Sequence, residues 1–263
     1  MAPAGRRRIS PILVVIGLAA IVFLLIIGFT SQHEAPYDPP AAGNGFASPS
    51  ATSESPSPTA TPTPTPAPTP TASAPPAQHA QAQLALLALA KLPKATVAYS
   101  GYVRTAFGDG WKDTDHNGCD SRNDTLGRDL RDPAYRPGTH DCIVTSGILH
   151  DPYTKLVIDF VRGPDSAKVQ IDHMVPLSWA WKYGAAKWTA VRRIAFANDP
   201  HELLAVEGAA NESKSDSGPS QWLPPARDYW CTYAIKFTNV LSAYTLAVPT
   251  DDRATLVGIL RRC

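Results

Sequence analysis

Apolar and polar positions follow two different periods in residues 81–263. Side chains alternate in residues 154–163 and 167–172, and the turn sequence Gly-Pro-Asp-Ser joins these runs, which predicts a β-hairpin. A further short strand is predicted at residues 202–206. Helices are predicted from apolar spacing or composition at residues 81–92, 124–131, 178–197 with a break at Gly184, 207–215, 229–248 and 251–263. The mixture predicts an α+β domain with a small sheet and packed helices.

The N-terminal part of the chain carries an uncharged run, residues 11–29, behind Arg6, Arg7 and Arg8. A helix of this length spans roughly 30 Å, the thickness of the hydrocarbon core of a bilayer. The arginines would keep residues 1–10 in the cytoplasm. The pattern predicts a single-pass signal anchor in the cell membrane, with the remaining chain extracytoplasmic. A cleaved signal peptide is the alternative, and it would make the protein secreted.

Residues 30–80 are rich in Pro, Thr and Ser, and 13 of the 26 prolines lie between Pro36 and Pro76. Such a segment buries too little apolar surface to offset the entropy of ordering, so a disordered linker is predicted. Residues 81–263 are then one globular domain. The charges outside this domain cancel, so the net charge of +1 belongs to it. A nearly neutral domain argues against a non-specific polyanion binder, although a local basic groove stays compatible with it.

All four cysteines lie in the globular domain, and an even number in an exported domain predicts two disulfides. Three pairings are open. Cys119–Cys142 and Cys231–Cys263 are favoured, because each pair closes a short loop within one region. A zinc site is the alternative, but the sequence has no C-x2-C pair.

The stretch VQIDHMVP, residues 169–176, ends a predicted strand with a carboxylate beside an imidazole at Asp172 and His173. Asn211 lies on a helix that follows the next strand. Oxygen ligands from Asp and Asn suit Mg²⁺, which keeps several waters. A neighbouring His can take a proton from water, since its unperturbed pKa is about 6.5. This set predicts metal-dependent hydrolysis, whereas an isolated Asp-His pair would be only a polar strand end.

The blocks IDHMVPLSWAW, FANDPHELLAV, NESKSD and WLPP resemble the HNH endonuclease superfamily. More closely, they resemble exported actinobacterial HNH proteins related to the C-terminal nuclease domain of GmrSD-type restriction enzymes. The resemblance extends upstream through DTDHNGCDSRND, PGTHDC and LHDPYT, and so covers most of residues 100–263. It implies a ββα-metal (HNH, or His-Me finger) core with additional helices, which would cleave phosphodiester bonds in nucleic acid, with DNA favoured.

Carried over by position, the resemblance implies that His173 is the general base and that Asp172 and Asn211 bind one Mg²⁺ or Mn²⁺ ion. Lys214 would lie near the scissile phosphate. One position departs from the family pattern, because Glu202 stands where the middle Asn braces the loop after the His. This departure keeps open a second hypothesis, a catalytically weak or inactive HNH-fold domain, anchored at the membrane, that binds an envelope component or a partner protein.

The segment DTDHNGCDSRND has the spacing of a calcium loop. The candidate ligands of a structural Ca²⁺ ion are Asp113, Asp115, Asn117 and Asp124. The alternative is an Asx-rich turn held by a disulfide.

Basic residues interleaved with Trp suit a nucleic-acid surface. Arg122, Arg192 and Arg193 are the candidate phosphate contacts, with an internal salt bridge for Arg122 and a solvated face for Arg192 and Arg193 as the alternatives. The predicted partners are therefore nucleic acid and, through residues 11–29, the membrane. No protein partner is evident from the sequence.

Overall fold

The structure is a computed structural model, and it describes residues 76–263. The predicted anchor at residues 11–29 lies outside these residues, as does nearly all of the predicted linker. Within the described range, no helix is both long enough and apolar enough to cross a membrane. The first described helix begins at Pro76, so the last residues of the segment predicted as linker are helical.

The helices of the described range follow the predicted order along the chain. The α-helices are α1 Pro76–Lys91, α2 Ser121–Asp129, α3 Leu177–Lys182, α4 Ala190–Ala197, α5 Gly208–Lys214, α6 Trp230–Tyr244 and α7 Thr250–Leu260. Short 3-10 helices cover Arg104–Phe107, Pro164–Lys168, Ala185–Lys187 and Arg227–Tyr229. The predicted break at Gly184 is confirmed: α3 ends just before this glycine, which has a φ of 153°. The helix predicted at residues 178–197 is therefore two helices.

The strands form two antiparallel sheets and not the predicted hairpin. They are β1 Leu130–Tyr135, β2 Val144–His150, β3 Val157–Val161, β4 Val169–His173 and β5 Leu203–Glu207. One sheet has the order β1-β2-β3, and the other pairs β4 with β5. The prediction that β3 pairs with β4 is wrong, because the residues between them form a 3-10 helix, Pro164–Lys168, and each strand pairs elsewhere.

The β4–β5 ladder lies between two groups of buried apolar side chains. The smaller group contains Val169, Ile171 and Leu203 together with residues of α2, β2 and β3. The larger group contains Leu204 and Val206 together with the helices α1, α3, α4, α6 and α7. Because both faces of β5 are covered, its sequence reads as a continuous apolar run and not as an alternating one. Packing from both sides fixes the end of β4, where the candidate site residues Asp172 and His173 lie.

Candidate active site

The strand register places the Asp-His pair at the end of the β4–β5 ladder. Asp172 pairs with Leu204 and His173 with Leu203, and β5 then leads directly into α5. The Glu207 side chain caps this helix by accepting the backbone N–H groups of Ala209 and Ala210. A strand–strand–helix unit thereby brings Asn211, far along the chain, to the same side as Asp172.

His173 is buried, and its ring is held on one edge and one face. Its Nε2 lies 2.9 Å from the carbonyl oxygen of Ala197, and Trp111 stacks on the ring with a centroid distance of 5.7 Å. A carbonyl oxygen only accepts, so Nε2 carries the proton and Nδ1 keeps a lone pair. Burial lowers the pKa of His173 to about 3, so the imidazole is neutral at ordinary pH. The ring is thus fixed and uncharged.

Asp172 is buried, and each of its carboxylate oxygens accepts a hydrogen bond. Lys214 Nζ donates to Oδ1 at 2.8 Å, and Tyr153 Oη donates to Oδ2 at 2.6 Å. Burial raises the pKa of Tyr153 well above its ordinary value, so the phenol keeps its proton. Lys214 also donates to the backbone carbonyl of His173 at 2.8 Å. The ammonium group therefore ties the carboxylate to the backbone of the candidate base.

Lys214, which the family resemblance implies near the scissile phosphate, is buried beside Asp172. Its side chain is 0% exposed and does not line the cavity in front of Asp172 and His173. In this structure it neutralises Asp172.

Asn211 lies on α5 and faces the same cavity as the Asp-His pair. Its Nδ2 donates to Gln170 Oε1 at 2.8 Å, and Gln170 Nε2 donates in turn to Glu212 at 3.0 Å. The cavity has a volume of about 510 Å³, and its wall includes Asp172, His173 and Asn211. The structure therefore brings these three predicted site residues together, as the sequence spacing indicated.

The oxygen donors of the cavity fit one divalent ion with few protein ligands. Each carboxylate oxygen of Asp172 accepts one hydrogen bond and retains a lone pair, and the amide oxygen of Asn211 accepts none from the described residues. Within residues 76–263, no group of three or more His, Cys, Asp or Glu side chains is arranged for a metal. Two protein oxygens would suit an ion that keeps most of its waters, as Mg²⁺ does.

Glu202 braces the chain segment that follows the candidate base. Its fully buried carboxyl group accepts the backbone N–H of Val175 at 3.1 and 3.2 Å, and its carbonyl accepts that of Met174 at 2.8 Å. Burial raises the pKa of Glu202 well above its ordinary value, which favours the neutral acid. The departure from Asn at this position therefore preserves an acceptor for the loop.

The arginines predicted to contact phosphate do not line the cavity. Arg192 donates to the carbonyl of Tyr244 at 2.8 Å and stacks over Trp188. Arg193 donates to the carbonyl of Ala106 at 2.9 Å and lies over Trp181. The two Trp rings pack against the larger core, which explains the interleaving of basic and aromatic residues.

Arg122 is half-buried beside Arg162, and burial lowers its pKa. Among the described residues, the Lys or Arg side chain that does line the cavity is Arg104, which no sequence pattern indicated. Tyr153 and Trp111, which contact the Asp-His pair, were also missed as site residues. Tyr153 stands in LHDPYT, one of the stretches that carry the family resemblance, and this was the available signal.

The segment with calcium-loop spacing is a hydrogen-bonded turn. Asp113 accepts the backbone N–H groups of Asn117 and Gly118 at 3.2 and 3.0 Å. The side-chain amide of Asn117 donates to Asp115 at 3.2 Å and to Asp124 at 3.1 Å. These contacts are typical of an Asx-rich turn, and a structural Ca²⁺ ion at this segment stays a prediction.

Disulfides join Cys119 to Cys142, beside this turn, and Cys231 to Cys263. No free cysteine occurs in the described part of the chain.

Sequence comparison specifies the family, and this family indicates a domain of the endonuclease class. Residues 120–258 match the family described as GmrSD restriction endonucleases, C-terminal domain, and the chain belongs to this family. A relative in Arthroderma benhamiae, an uncharacterized secreted protein, is 39% identical over 152 residues, which cover 55% of this chain and 68% of the relative. No solved structure matches the chain.

Proposed function

We propose that residues 81–263 form a metal-dependent endonuclease with an HNH-type, ββα-metal core, which hydrolyses phosphodiester bonds in nucleic acid, with DNA as the expected substrate. The proposal is carried by the His173 ring, which is fixed through Nε2 and has no hydrogen-bond partner at Nδ1 among the described residues. It lies on one cavity with the proposed oxygen ligands Asp172 and Asn211. Family membership supports the reaction class.

In the proposed reaction, His173 Nδ1 accepts a proton from the attacking water. The Ala197 carbonyl holds the imidazole in the tautomer required for this step. Asp172 and Asn211 would bind Mg²⁺ or Mn²⁺, and the ion would stabilise the negative charge that develops on the phosphate and the leaving oxygen. Lys214 and Tyr153 orient the Asp172 carboxylate, and Glu202 fixes the loop that follows the base.

We further propose that this domain acts outside the cytoplasm. Two disulfides form and persist in oxidising compartments, and the relative in Arthroderma benhamiae is described as secreted. Residues 11–29 would anchor the chain in the membrane, and cleavage of that segment would release it. Blocking of free thiols before and after reduction, followed by mass spectrometry, should show that all four cysteines are oxidised in protein taken from the producing cells.

The nuclease proposal is tested with supercoiled plasmid and the purified full-length protein in Mg²⁺ or Mn²⁺. Wild type should nick the plasmid and lose activity in EDTA, and His173→Ala should lower the rate by about 10²-fold or more. His79→Ala is the matched control, because His79 is exposed on α1 and does not line the cavity. If His173→Ala cleaves as fast as wild type, His173 is not the base.

A second candidate function is a binding domain on the same scaffold that does not cleave. The ion pair between Asp172 and Lys214 favours it, because the carboxylate is already neutralised. Folded protein that cleaves neither DNA nor RNA in several divalent metals would support this candidate. A rise in melting temperature with Mg²⁺ or Mn²⁺ that is lost in Asp172→Ala and Asn211→Ala would count against it.

A further inference from the structure

Arg104 is the one Lys or Arg side chain among the described residues that line the cavity of Asp172 and His173. The other cations near this cavity are already paired: Lys214 with Asp172 at 2.8 Å, and Lys182 with Asp216 at 3.0 Å. Arg104 is exposed, and among the described residues its guanidinium has no hydrogen-bond acceptor and no ion-pair partner. Its charge is therefore available to a ligand that enters the cavity.

The backbone that carries Arg104 is held firmly, although its side chain is free. It begins the 3-10 helix Arg104–Phe107, in which Phe107 is buried against the rings of Trp181 and Phe196. The Arg193 side chain donates to the carbonyl of Ala106, in the middle of the same helix. Arg104 is thus presented to the cavity from a fixed position, while Arg193 serves to hold that position.

The charges of the cavity wall show which ligand Arg104 fits. Glu212 is acidic and lines the same cavity, so a polyanion would meet repulsion there without an opposing cation. A planar guanidinium matches two oxygens of one phosphate.

We propose that Arg104 is a substrate-binding residue that contacts a backbone phosphate of the nucleic acid at the mouth of the Asp172–His173 cavity. This inference rests on the proposed nuclease function. It assigns the phosphate contact to the segment before α2, in place of Arg192 and Arg193, whose guanidinium groups donate to backbone carbonyls.

The test is binding of a fluorescently labelled DNA duplex by the full-length protein in EDTA, titrated at several salt concentrations. Arg104→Ala should weaken binding about tenfold at low salt, as expected for one charge-assisted contact. It should also lower the slope of log K against log salt by about 0.9, the value for one phosphate on B-DNA. Arg104→Lys should keep the slope and recover part of the affinity. Arg261→Ala, which removes an exposed arginine outside the cavity, should behave as wild type.

The outcomes separate this inference from the function on which it rests. If wild type binds and cleaves DNA while Arg104→Ala has the wild-type affinity and salt slope, the Arg104 assignment is overturned and the nuclease proposal stands. If Arg104→Ala binds weakly with an unchanged slope, its effect is structural, and the assignment is again overturned. If folded wild type neither binds nor cleaves, the nuclease proposal fails, and the Arg104 assignment fails with it.

Discussion

Glu202 provides an acceptor for the chain segment after His173, at a position where the family resemblance implies Asn. The carboxyl group has no cation partner among the described residues and accepts one backbone N–H, from Val175, with both oxygens. A neutral acid suits such a site better than a carboxylate, because a buried unpaired charge is costly. The pKa of Glu202 is raised because burial disfavours the charged carboxylate.

We therefore predict opposite behaviour for two substitutions at this position. Glu202→Ala removes the acceptor and leaves a cavity, so the free energy of unfolding should fall by about 2–4 kcal/mol, together with the cleavage rate. Glu202→Gln keeps a neutral acceptor, so it should retain most of the wild-type stability and activity. Urea unfolding and plasmid nicking measure the two effects.

The pH dependence distinguishes these variants further. A carboxyl group with a raised pKa in the folded state contributes stability that is fully present below its unfolded pKa, near 4.5, and is lost as pH rises. Wild type should therefore lose stability relative to Glu202→Gln between pH 5 and pH 8. A difference that is constant over this range would show that Glu202 is ionised in the fold.

The position of helix α5 against the end of strand β4 decides whether Asn211 reaches the cavity. The helix begins at Gly208, where an added Cβ would lie 2.2 Å from the backbone carbonyl of Ala167. Backbone atoms cannot move aside as a flexible side chain can. The glycine is therefore required by the close approach of α5 to the 3-10 helix that precedes β4.

Gly208→Ala should accordingly shift α5, lower the free energy of unfolding by about 1–3 kcal/mol or more, and weaken cleavage. The matched control is Gly258→Ala in α7, where a Cβ meets only the end of Arg262, at 4.0 Å. Alanine favours helices over glycine by about 1 kcal/mol, so this control should be neutral or stabilising. Equal destabilisation in the two variants would contradict the close-approach argument. Thermal melts and nicking assays provide both readouts.

The elements also show what the sequence could and could not predict. Most helices and the strand that starts at Leu203 follow from local periodicity, and Asn211 could be placed because β5 runs straight into α5. Strand pairing is not local, and the partner of β3 proved to be β2. β1 was missed, because LRDPAY contains a proline and polar residues that hide a strand, and β2 was missed as well. Arg104 reaches the cavity only through tertiary packing, which no local pattern reports.

In the domain as a whole, the two disulfides close loops of similar size, but they lie at different distances from the candidate active site. Cys231 at the start of α6 is joined to Cys263 after α7, and Cys119 to Cys142 beside the turn that follows Trp111. Lys112, next to Trp111, donates its backbone N–H to Asn198, the neighbour of the carbonyl that holds His173. The Cys119–Cys142 disulfide therefore restrains a segment that covers the candidate base, whereas the Cys231–Cys263 disulfide restrains helices of the larger core.

Replacing either cysteine pair by serine should lower the free energy of unfolding by about 3–4 kcal/mol, as loop-closure entropy predicts for separations of 32 and 23 residues. The cleavage rate should distinguish the two variants. Below its melting temperature, Cys231→Ser with Cys263→Ser should cleave at the wild-type rate, because no residue of the cavity wall belongs to α6 or α7. Cys119→Ser with Cys142→Ser should cleave more slowly at the same fraction folded, since Trp111 loses part of its support against His173. Circular dichroism fixes the fraction folded, and plasmid nicking gives the rate. Equal rates in both variants would show that the packing of Trp111 does not depend on the crosslink.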